Sequence, residues 1–159
     1  MVTKVVKYKG FDGEDIEEKI YLRLTKAELQ KLDRSYQKDG GFINYFRKLI
    51  TDMQNSIRSG VEDHTMAYPL IEFLETIILA AYGEKTEDGR FIKKKYGQPL
   101  ADEFECSQAY SELLMHLIGS EEGLEEIEPL ILGMMPTEGV DMEVVNEKKA
   151  QLMEKFQKG

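Results

Sequence analysis

The sequence predicts an α+β fold, mostly α, in which an N-terminal β-hairpin is followed by about five to six helices. Three observations carry this. Side chains alternate strictly over Glu14 to Leu24, with Ile16, Glu18, Ile20, Leu22 and Leu24 on one face, the period of a half-buried strand. Hydroxyl residues stand where helices should begin, at Thr25, Ser107 and Ser120. Between these caps and the glycines at 40–41, 60, 83 and 119, apolar residues recur three and four apart, as on one face of a helix.

At 159 residues with a net charge of −9, the chain is long enough for one domain with a modest core. A single cysteine excludes an intramolecular disulfide, and with two histidines it leaves no cluster at metal-ligand spacing. The start, Met1-Val-Thr-Lys-Val, has no basic-then-apolar leader, and the longest apolar run, Ile77 to Ala81, is too short to span a bilayer. A soluble protein of the cytoplasm is expected. The acidic balance argues against nucleic acid, whose phosphates are bound by clustered Lys and Arg. That acidity is uneven: residues 120–159 hold ten acidic and four basic side chains, residues 1–119 twenty and seventeen.

Val2 to Tyr8 is rich in β-branched residues, and Gly10-Phe11-Asp12-Gly13 supplies the turn that pairs it with the alternating segment. A lone hairpin is marginal in water. Its apolar face must therefore pack on helices of this chain or pair with another copy. Thr25-Lys26-Ala27-Glu28 has the spacing of a capping box, so a helix is expected to about Gln37 with Leu29, Leu32 and Tyr36 inward. A second runs from about Phe42 to Ser59 on the stripe Ile43, Phe46, Ile50, Met53 and Ile57.

The third helix is expected from about Asp63 to Tyr82, with Pro69 near its start and Gly83 in the left-handed position after its end. Its second half is apolar over more than one stripe, so it is either central in the fold or covered by a partner. Glu84 to Gly89 reads as a turn, after which Phe91 and Ile92 tuck back while Arg90 and Lys93 to Lys95 stay wet. Leu100 to Glu105 is a short acidic segment. Helices from Ser107 to about Ile118 and from Ser120 to Pro136 follow, the latter containing Pro129. Residues 1–136 form the body. Residues 137–159 are expected to form an amphipathic helical tail, because Met142, Val145, Leu152 and Phe156 fall at heptad-like spacing interrupted by Lys149.

No reaction is legible. The carboxylates cluster in turns and helix starts, where they serve local structure. Asp12 to Asp15 lacks the remaining ligands of a calcium loop. His64 and His116 have no neighbouring nucleophile in sequence, and Cys106 reads as a small half-buried residue. Gly40-Gly41 lacks the Lys and Ser/Thr of a phosphate loop. No catalytic residue, cofactor or metal is expected.

Four segments in fixed order carry a resemblance: Leu24-Thr25-Lys26-Ala27-Glu28-Leu29; Tyr82-Gly83-Glu84-Lys85-Thr86-Glu87-Asp88-Gly89-Arg90-Phe91; Phe104 with Ser107, Ala109 and Tyr110; and Pro136. Over roughly residues 1–136 the chain resembles the tail assembly chaperones of long-tailed phages and prophages of Gram-positive bacteria. The stretch from Lys94 to Asp102 departs from the pattern by its length. The resemblance implies a non-enzymatic protein of the host cytoplasm that binds the tape measure protein, recruits tail tube subunits and works as a homo-oligomer. Phe73, Ile77, Ile78 and Tyr82 are the candidate partner-facing residues, with Met142, Val145, Leu152 and Phe156 as a self-association or release element. These eight are chosen on physical grounds, for a protein that masks apolar helices must offer apolar surface and stay soluble. A minor virion or tail-completion component is the alternative.

Overall fold

The computed structural model describes residues 1–60 and 64–136. Strands β1 (Val2–Lys9) and β2 (Asp15–Leu22) form the expected antiparallel hairpin, Val2 opposite Leu22 and Lys9 opposite Asp15. The fold is α+β and mostly α. Six α-helices follow among the described residues: α1 (Lys26–Ser35), α2 (Phe42–Arg58), α3 (Tyr68–Ala81), α4 (Leu100–Glu105), α5 (Gln108–Ile118) and α6 (Glu121–Met134).

The hairpin is the start of something larger. The chain leaves α3 directly into β3 (Tyr82–Lys85), which pairs with β2 through Tyr21 and Gly83 and through Leu22 and Tyr82. β4 (Phe91–Ile92) pairs in turn with β3, giving a four-stranded antiparallel sheet in the order β1-β2-β3-β4. Gly83 is therefore a strand residue and not the left-handed cap that was expected. Its reason is close approach: a Cβ there would stand 2.5 Å from Phe91 Cζ and 2.6 Å from the Ile92 carbonyl oxygen. The turn between β3 and β4 is held by Gly89 at φ +83° and by Thr86, whose Oγ1 accepts from the Arg90 amide at 3.0 Å. A second small hairpin, β5 (Lys94–Lys95) with β6 (Gln98–Pro99), turns through Tyr96 and Gly97 and runs straight into α4. The segment expected only as acidic is that helix.

Helix starts follow their caps. Thr25 and Glu28 make both bonds of the capping box; Ser107 and Ser120 accept from the amides of Tyr110 and Gly123. Gly41 has no side chain to cap α2, and Asp33 of α1 reaches across to do so, accepting from the Phe42 amide at 3.1 Å. α3 starts behind a 3₁₀ turn (His64–Ala67), with Pro69 in its first turn, where the missing amide costs nothing.

The core gathers at α3. Leu70, Phe73, Leu74, Ile77, Ile78 and Ala81 are buried between the sheet, which contributes Ile20 and Leu22 with Leu24 just beyond it, and helices α2, α4 and α5. Phe73 centres an aromatic group, edge-on to Tyr36 and Tyr45 at 5.5 Å and stacked on Phe46 at 5.8 Å. The two residues after β2 tie the ends of the fold together. The Arg23 amide donates to the Ala81 carbonyl at the end of α3, and the Leu24 amide to that of Met134 at the end of α6, both at 2.8 Å. No helix among the described residues is long and apolar enough to cross a membrane.

Candidate interaction surface

The segments Tyr82–Phe91 and Phe104–Tyr110, far apart in the chain, are joined by direct contacts, and Leu24–Leu29 is tied to the end of α3 through Lys93. Tyr82 lies flat on Phe104, ring centres 3.8 Å apart and planes 2° from parallel, and Phe104 meets Tyr110 edge-on at 5.3 Å. Burial pushes the Tyr110 hydroxyl up to about 12. Glu28 serves two partners at once. Its Oε1 accepts the Thr25 amide at 2.9 Å and also the Lys93 ammonium, which donates as well to the Ala80 carbonyl at 2.7 Å. Lys93 was expected to stay wet; it is instead half-buried over the end of α3, where it satisfies a carbonyl that the helix leaves open.

Burial works to raise the Glu28 carboxyl, but the bonds from Lys93 and Thr25 outweigh it, so the pKa lies below its ordinary value. Burial also lowers the Lys93 pKa, against the opposing pull of Glu28. This linkage fixes α1 to the end of α3. Its chemistry is structural.

No group of three or more His, Cys, Asp or Glu side chains among the described residues is placed to hold a metal ion. His116 sits on the exposed face of α5, its Nε2 2.9 Å from Glu126 Oε2 of α6, with Lys4 of β1 also near that carboxylate. The bond to His116 depresses the Glu126 pKa. Cys106, expected half-buried, is exposed at the C-terminal cap of α4, just before Ser107 caps the start of α5.

Of the candidate partner-facing residues, Phe73, Ile77 and Ile78 are at most 1% exposed: α3 is the centre of the fold, so these side chains face its own core. Tyr82 is half-buried, with Phe104 over its ring. Met142, Val145, Leu152 and Phe156 lie outside the described residues.

The apolar surface on offer lies elsewhere, between α2 and α6. Phe46, Ile50, Met53 and Ile57 of α2 face Leu124 of α6 across a groove of about 290 Å³, edged by Gln54, Glu125 and Glu128. Ile57 is 69% exposed, Ile50 and Met53 are half-buried, and no ion pair among the described residues engages Glu125 or Glu128. These α2 residues belong to the stripe that the sequence shows along the second helix. The helix in fact carries two apolar sets: Phe42, Phe46 and Leu49 are buried, and Ile50, Met53 and Ile57 are left over on a neighbouring face. That surplus was the available signal, since one stripe is enough to seat a surface helix.

A family model described as phage tail assembly chaperone matches residues 1–158. No curated protein and no solved structure matches the chain.

Proposed function

The chain belongs to the phage tail assembly chaperone family, and from that premise we propose that it binds the tape measure protein and recruits tail tube subunits in the bacterial cytoplasm, assisting assembly without catalysis. The observation that carries this reading is the family match over almost the whole chain. The α2–α6 groove supports it. An apolar trough walled by two helices is the form that receives the apolar face of a third. The formal charge of −9 keeps a protein with such a surface in solution.

Several copies along one long tape measure chain would mask it more fully than one. The outer edge of β1 offers a place for copies to meet, for no strand among the described residues pairs with it. Light scattering on the purified protein across a concentration series tests this, and a constant monomer mass counts against it. The main reading is tested by expressing the tape measure protein with and without this chain. Solubility only in its company supports the proposal. A tape measure protein equally soluble alone, or insoluble in both cases, refutes it.

A further inference from the structure

The two walls of the groove between α2 and α6 differ in charge, and the difference specifies what fits there. We propose that the groove takes an amphipathic helix of a foreign chain, apolar over about three turns and bordered by Lys or Arg on the side that lies along α6. This rests on the reading above and adds the charge pattern by which a partner segment is chosen.

Length is set by α2. Its lining residues run from Phe46 to Ile57, a span of about 17 Å at about 1.5 Å per residue. Phe46, Ile50, Met53 and Ile57 stand four, three and four apart, the repeat of one helix face. A helix laid along that row meets it with the same repeat.

Charge is set by α6. The charged residues among those lining the groove, Glu125 and Glu128, both belong to α6, and the α2 wall contributes none. Glu121 and Glu122 extend the acidity toward the start of α6, which has no basic residue. Glu126 is already answered, by His116 and Lys4. Glu125 and Glu128 are not, for no ion pair among the described residues engages them. Pro129 adds to the demand for donors beside them, having no amide to give the Glu125 carbonyl four residues back. A basic border meets both needs, since Lys and Arg bring positive charge and donors together.

Other occupants fit less well. The acidic wall repels nucleic acid and the anionic headgroups of a membrane surface. A second copy offering the same face sets glutamates against glutamates. No other face of this chain suits it among the described residues: outside the groove the large exposed apolar side chains are Met1, Val5, Phe11, Tyr68, Tyr96 and Met115, scattered over strands, turns and separate helices.

The probes are three alanine-based peptides of about 18 residues, long enough to hold a helix. One carries leucines at the spacing of the groove with lysines along one border. The second has glutamates in place of those lysines, and the third has the composition of the first with its leucines scattered round the helix. By fluorescence anisotropy against the full chain, the first should bind at least about tenfold tighter than either other, with an affinity that falls as salt is added. Glu125→Lys with Glu128→Lys should reverse the preference between the first two. In the full chain with Cys106→Ser and Ile57→Cys, the new thiol should react with maleimide within about tenfold of its rate in the unfolded chain, and the first peptide should protect it. A thiol already shielded in the chain alone, equal binding of the three peptides, no binding, or a preference that survives the double reversal would each overturn the proposal. The peptides contain no tape measure sequence. Peptide selection as expected, with a tape measure protein that gains nothing from co-expression, refutes the earlier reading alone; solubilisation with no selection among the peptides refutes this one alone.

Discussion

Glu28 shows how much one side chain can hold. It closes a capping box and pairs with Lys93 65 residues later. Replacing it by Gln keeps the cap's acceptor but leaves Lys93 half-buried without its counter-charge, and should cost about 1 kcal/mol after allowing for solvent screening. The pH dependence follows from the depressed Glu28 pKa. Its contribution is fully present above the ordinary carboxylate value of 4.5 and is lost as pH falls through the lower folded value. Melting temperature against pH should therefore fall less steeply below 4.5 in Glu28→Gln than in the natural chain. Glycines give a sharper test. At Gly123 an added Cβ would overlap the carbonyl oxygen of His116 where α6 crosses the end of α5. Gly123→Ala should destabilise by about 2 kcal/mol or more, measured by urea unfolding, because backbone on both sides leaves little room to give.

Among elements, α2 and α3 make the clearest contrast. α3 is the central helix, and Phe73→Ala should cost about 3–5 kcal/mol, the loss expected when a buried aromatic leaves a cavity. Ile57 of α2 is largely exposed, and Ile57→Glu should alter stability by no more than about 0.5 kcal/mol. The same Ile57→Glu should abolish solubilisation of the tape measure protein on co-expression, since it sets a charge in the groove. The reading of elements from sequence succeeded where the signal was local. Strict alternation fixed β2, and a Thr and a Glu three apart fixed the start of α1. It failed for β3 to β6, since strands of two to four residues are too short to show a period, and Gly83 looked like a helix stop because its real neighbours, Phe91 and Ile92, arrive only after a turn. The greasy second half of α3 had two readings from the start. Burial by the sheet, α2 and α5 decides for the core, and no periodicity within α3 carried that information.

At the scale of the whole molecule, the first strands are completed by segments made much later. β2 gains its second neighbour from residues 82–83, and the buried Leu24 amide gains its acceptor from Met134. A nascent chain therefore lacks the acceptor that this amide has in the folded protein until α6 has left the ribosome. In the finished protein that amide opens only when α6 and the sheet separate, which is global unfolding. Its deuterium uptake should be among the slowest of all and should track the unfolding free energy measured in denaturant, whereas amides at the tip of the first hairpin, around the fully exposed Phe11, should exchange freely.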